Sequence, residues 1–183
     1  MEKMDVELDG PEQSGFHCEV CHTWHDALPF SYSVKAPFAV AAIPEQELER
    51  RVVFTLDQCV IDQRDFYLRG RIVVPVLGED RPFIWGVWAK VSAPDFIRTD
   101  ELWKIPGRER EPAYPGRLNT QIPLYGDTLN LELLVQTQVV GRRPHFELMQ
   151  SSHPFALEQR AGISLGRVRR IAEHFLHPEA NLL

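Results

Sequence analysis

Pro82-Phe83-Ile84-Trp85-Gly86-Val87-Trp88-Ala89-Lys90-Val91 is the run on which the reading of the fold turns. Phe83, Trp85, Val87, Ala89 and Val91 share one parity, and Ile84, Gly86, Trp88 and Lys90 the other. A period of two is the signature of a β-strand, whose side chains alternate between the two faces of a sheet. Tryptophans on opposite faces require both sides of that strand to be at least partly covered. A sheet with elements packed on it is therefore expected.

Upstream, Phe66, Leu68, Ile72 and Val74 alternate with Tyr67, Arg69, Arg71 and Val73. Asp62-Gln63-Arg64-Asp65 before them reads as the turn of a hairpin. Val52, Phe54, Leu56 and Val60 alternate with Val53, Thr55, Asp57 and Cys59. This predicts one strand over residues 52–60, with its apolar face opposite Cys59. Pro44 followed by good helix formers predicts a short helix over residues 44–50. Residues 27–42, rich in aromatics and prolines without a period, read as an irregular strap over the core.

Downstream, Thr99-Asp100-Glu101-Leu102-Trp103 reads as a capped helical turn. Residues 106–127 hold four prolines and three glycines with no sustained period. They read as one long loop, and such loops are often binding loops or lids. The best half-buried strand follows over residues 129–139, and Gly141 turns it into a partner over residues 145–150. Ser152-His153-Pro154 starts a helix that ends near Gly162. From Ser164 a last helix carries Leu165, Val168, Ile171, Ala172 and Phe175 as one apolar stripe.

Residues 1–14 carry five acids against one lysine and read as a disordered acidic leader. The expected architecture is thus a single α+β domain over residues 15–178. Its sheet is mainly antiparallel, with short flanking helices.

Phe16-His17-Cys18-Glu19-Val20-Cys21-His22-Thr23-Trp24-His25 carries the chemistry. A Cys-x-x-Cys pair lets two thiolates reach one ion, the usual first half of a tetrahedral zinc site. In a reducing compartment the alternatives are a redox pair or unliganded thiols. His25 is the candidate third ligand. No second Cys-x-x-Cys follows, so a fourth must come from far along the chain, and Cys59 and His153 are the candidates. Each has a plain structural reading as well: Cys59 as a small buried hydrophobe, His153 as a helix cap. The stretch then acts as an N-terminal metal clip, with zinc the expected cofactor.

Trp88, Arg69 and Glu158 are the candidate ligand-binding residues, with Trp88 placed beneath the long loop. No nucleophile–base pair can be placed by spacing, so an enzyme is unsupported. The preferred function is a noncatalytic domain that binds a protein or small molecule. The alternatives are a zinc-dependent hydrolase with Glu158 as general base, and an acidic immunity or antitoxin-like binder. A net charge of −6 argues against nucleic acid and anionic membranes as partners. No apolar run approaches the roughly 20 residues of a membrane span, and the cytoplasm is the expected location.

Taken together, these motifs resemble a bacterial family, the domain of unknown function numbered 2199. The stretches that carry the likeness include Phe16-x-Cys18-x-x-Cys21-x-x-x-His25-x-x-Leu28-Pro29, Asp57-Gln58-Cys59-Val60-Ile61-Asp62 and Phe83-Ile84-Trp85-Gly86-Val87-Trp88. Others are Gly141-Arg142-Arg143-Pro144 and His153-Pro154-Phe155-Ala156-Leu157-Glu158-Gln159. The resemblance implies no activity. The family pattern has glycine after Cys-x-x-Cys, and this chain has His22 there. Glycine takes a positive φ at little cost, whereas histidine does so only with strain.

Overall fold

The computed structural model describes residues 15–149 and 152–178. The acidic leader expected over residues 1–14 lies outside them. The rest is an α+β domain with four helices and a mostly antiparallel sheet, as expected from the alternating runs.

A long hairpin is the backbone of the fold. Strands β6 (Asp65–Val74) and β7 (Phe83–Val91) pair antiparallel from Phe66↔Val91 to Val74↔Phe83. Both faces of β7 are covered, because Trp85 and Trp88 are fully buried on opposite sides. The outer edge of β7 is shared: Ala89 to Val91 pair with β8 (Tyr114–Leu118), and Ile84 to Gly86 pair in parallel with β3 (Ser31–Ser33). Beyond β8 follow β9 (Glu132–Gln136) and β10 (His145–Leu148), each antiparallel to the one before. β10 then returns to β6, in parallel, at His145↔Arg71. The backbone N–H of Arg71 donates to Pro144 O at 2.9 Å beside that junction. Strands β6 to β10 therefore close into a five-stranded barrel. Closure pairs edges that would otherwise expose unpaired backbone groups.

Gly70 marks the closure. A Cβ there would land on the ring of Phe146, so the β6 backbone passes against that ring only because position 70 has no side chain.

The main core joins the barrel interior to two helices, α3 (Pro154–Ala161) and α4 (Leu165–Leu176). Phe155 and Ala156 of α3, and Val168, Ile171 and Ala172 of α4, are buried in it. Ser164 caps α4 by accepting from the Arg167 N–H, and His153 caps α3 by accepting from the Phe155 N–H. Both helices match the sequence reading. A second core gathers Val34, Cys59, Ile61, Tyr67 and Trp88 on the other side of the hairpin. It is covered by a 3₁₀ turn (Phe38–Ala42) and by the region of α1 (Glu45–Arg51).

Four expectations need correction. Residues 52–60 are two strands, β4 (Val52–Phe54) and β5 (Gln58–Ile61), which pair antiparallel. The break occurs because the Thr55 hydroxyl accepts from the N–H groups of Asp57 and Gln58, making a tight turn. The faces are also reversed: Leu56 is 77% exposed, whereas Cys59 and Ile61 are buried. The strap over residues 27–42 contains strand β3, with Tyr32 and Val34 buried. The helical turn at Thr99 belongs to a longer helix, α2 (Ala93–Glu101), capped by Ser92, and Thr99 is buried inside it against the Tyr114 hydroxyl. Lastly, the long loop over residues 106–127 contains barrel strand β8.

Candidate metal centre

Two very short strands, β1 (Phe16–His17) and β2 (Trp24–His25), pair antiparallel and frame the Cys-x-x-Cys turn. Inside the turn, the Cys18 N–H donates to Thr23 O at 2.9 Å, and the His22 N–H donates to Cys18 O at 3.1 Å. The Val20 N–H points at Cys18 Sγ, 3.4 Å away, and so belongs to the same turn. His22 has φ 56°, the left-handed conformation that glycine would take without strain. The turn is thus a knuckle held by its own backbone, with a histidine in the glycine position.

The knuckle converges with the end of α4. Cys18, Cys21, His25 and His177 place one donor atom each within 4.8 Å of one another. Cys18 Sγ lies 3.2 Å from His177 Nε2, and Cys21 Sγ lies 3.3 Å from His25 Nε2. A tetrahedral zinc with two sulfur and two nitrogen ligands needs its donors about 3.3–3.8 Å apart, given bond lengths of about 2.3 and 2.05 Å. The set has that chemistry and nearly that spacing.

Cys18 is fully buried and Cys21 half-buried. Hydrogen bonds from the Thr23 side chain and then His25 pull the Cys21 thiol down to about 6 from its ordinary 9.0, so it is largely thiolate at neutral pH.

The groups around the donors set their orientation. Phe16 stacks on His25 with ring centroids 5.2 Å apart, and His25 meets His177 edge-on at 5.8 Å. Glu173, one helical turn before His177, accepts from the Glu19 N–H at 2.7 Å, although Glu173 itself is buried. That bond fastens the knuckle to α4 beside the donors.

The other candidates lie elsewhere. His177, at the end of α4, takes the place considered for Cys59 or His153. Cys59 sits in the second core beside Trp88, where burial pushes its thiol up to about 12. His153 is committed as a cap, with Nδ1 accepting from Phe155 N–H and Nε2 donating to Asp127 O at 3.0 Å.

Trp88 is fully buried, with its indole N–H donating to Val34 O at 3.1 Å and Phe54 packed on it. It lies under the 3₁₀ turn and β4 as part of the core. Its backbone meets residues 119–120 of the expected loop: the Trp88 N–H donates to Thr120 Oγ1 at 2.8 Å and Trp88 O accepts from the Asn119 N–H at 2.7 Å. Arg69 is half-buried on the same face of the hairpin, opposite Trp88 in register. Glu158 accepts from the Tyr125 hydroxyl at 2.5 Å and from Arg167 Nε at 2.9 Å. It is held in α3 by those two partners.

Sequence reasoning missed His177 and Glu173. The one available signal was that the stripe on α4 aims the helix end at the sheet, and His177 follows that stripe.

A barrel-cored α+β domain with a four-donor Cys/His cluster at its N-terminal knuckle is the class that fold and site define. The family model described as an uncharacterized protein conserved in bacteria (DUF2199) matches residues 17–163, and this chain belongs to that family. The match includes Cys18, Cys21 and His25 and ends before His177. No curated protein and no solved structure matches the chain.

Proposed function

We propose that the protein is a cytoplasmic, noncatalytic binding domain whose N-terminal knuckle is clipped to its C-terminal helix by zinc. The observation that carries this reading is the convergence of Cys18, Cys21, His25 and His177 within 4.8 Å. Thiolate and imidazole donors suit zinc and exclude hard, oxygen-seeking cations such as magnesium or calcium. Four protein donors fill a tetrahedral shell, which is the structural pattern; catalytic zinc keeps three and an open position. Glu158, the general base of the hydrolase reading, is engaged by Tyr125 and Arg167 and is not among the clustered donors.

The clip spans the chain. It ties residue 18 to residue 177, so it fixes the knuckle against the domain and leaves the barrel surface to bind a protein or a small molecule. A cytoplasmic location fits three free cysteines, which a reducing compartment preserves. Among the described residues no helix is long and apolar enough to cross a membrane.

Metal analysis of protein purified without a histidine tag tests the reading. The expected content is about one equivalent of zinc, falling sharply in Cys18→Ser, with loss of thermal stability and retention of the sheet signal. Less than about a tenth of an equivalent in the unaltered protein would overturn the clip.

A further inference from the structure

A cavity of about 430 Å³ shares no residue with the Cys/His cluster. Its arginines come from four places that the sequence keeps apart. β6 contributes Arg71, the segment before β7 contributes Arg81, and the turn between β9 and β10 contributes Arg142 and Arg143. Trp103 and Arg108 line it as well. Five arginines thus line one space, and Asp57 is the one carboxylate among the described residues that line it. Asp57 pairs with Arg143 at 2.6 Å, which offsets a single charge.

This concentration runs against the chain as a whole, whose net charge is −6. Converging like charges repel, so a fold holds them together at a cost that a bound anion would reverse.

The cavity is also pre-formed. Arg108 is buried and donates to the carbonyls of Trp103, Gln138, Val139 and Arg142, which ties residues 103–108 to the β9–β10 turn. The turn that presents Arg142 and Arg143 is therefore held before any ligand arrives. Arg81 lies flat over the Phe30 ring, 3.6 Å from its centroid, which fixes the direction of that guanidinium. Arg71 donates to His145 Nε2 at 3.0 Å across the barrel closure. Guanidinium forks match the paired oxygens of phosphate and carboxylate, and a pocket of this volume fits a small organic molecule.

We infer that this cavity is a binding site for a small dianionic oxyanion, a phosphate ester or a dicarboxylate, cradled by Arg71, Arg81 and Arg142. The site supplies the ligand class for the binding role proposed above. It is tested separately from the clip, whose readout is metal content.

The test is calorimetric titration of the full, zinc-loaded chain with inorganic phosphate and with succinate, at a constant ionic strength of about 0.15 M. Saturable one-to-one binding of at least one probe is expected. The stronger probe tells a phosphate ester from a dicarboxylate. Arg142→Gln, at an exposed position, and Arg81→Gln should each weaken that binding about tenfold while leaving the melting temperature and zinc content unchanged. Arg117→Gln removes an exposed charge outside the cavity and should change it by less than about twofold. No saturable binding of either probe below about 10 mM would overturn the inference. Equal weakening by Arg117→Gln would do so too, because it would reveal attraction by net charge alone.

Discussion

Cys18 and His177 stand 159 positions apart in the chain, and their Sγ and Nε2 atoms lie 3.2 Å from each other. Almost the whole domain is enclosed between them, so whatever joins them closes the fold. Each donor of a structural zinc site contributes a share of a binding free energy of about 10–16 kcal/mol. His177→Ala is therefore expected to weaken zinc binding by about a hundredfold and to lower the melting temperature, with the far-ultraviolet sheet signal retained. Competition with a fluorescent zinc chelator measures this. Unaltered affinity would remove His177 from the ligand set.

His22 holds φ 56° in the knuckle, a conformation that costs a residue with a Cβ about 1–2 kcal/mol. Its side chain is exposed, so little packing would be lost on replacing it. His22→Gly should stabilise the protein by about 0.5–1 kcal/mol in chemical denaturation, the strain relief being partly offset by the freedom glycine gains when unfolded. Destabilisation would mean that the imidazole makes a contact worth more than the strain.

Gly70 is where the barrel closes on Phe146. Gly70→Ala forces a methyl group into that ring, and overpacking of this kind costs about 1–3 kcal/mol. The double variant Gly70→Ala with Phe146→Leu should recover part of the loss, since the flat ring is what the methyl meets. Independent, additive effects on unfolding would show that the two positions do not touch.

His145 is half-buried and accepts from Arg71 through Nε2. Burial, and then the positive charges of Arg71 and Arg142, hold its imidazole below the usual 6.5. The unfolded chain takes up this proton first as pH falls. The contribution of His145 is thus fully present above about pH 6.5 and is lost as pH drops through its folded value. Nuclear magnetic resonance titration should place its midpoint below 6.5, and Arg71→Met should raise it. A midpoint at or above the usual value would contradict the geometry.

Much of this architecture was legible because local rules and tertiary packing agree. Pro154 after His153 and the stripe from Val168 to Phe175 specify α3 and α4 through capping and periodicity alone. Strands β6 and β7 are equally plain from their period of two, and Asp62 to Asp65 announces the turn between β5 and β6; the β6–β7 pairing itself was not announced. What escaped was set by long-range partners. β3 is three residues long and pairs in parallel with β7, so no turn announces it. β8 contains Pro115 and Gly116, residues that usually break strands, and is stabilised by neighbours on both sides. At the metal centre, the Cys-x-x-Cys spacing disclosed half the site. The need for a distant ligand was also legible, but its identity depends on where α4 ends, and that is a property of the packed fold. The arginines of the cavity were invisible as a group for the same reason.

Zinc K-edge X-ray absorption on untagged protein tests the central claim most directly. The account predicts a first shell of two sulfurs at about 2.3 Å and two nitrogens at about 2.0–2.1 Å, with the imidazole outer-shell pattern lost by half in His177→Ala. A shell containing a water oxygen in place of one of those ligands, or a Cys18–Cys21 disulfide in protein without metal, would contradict it.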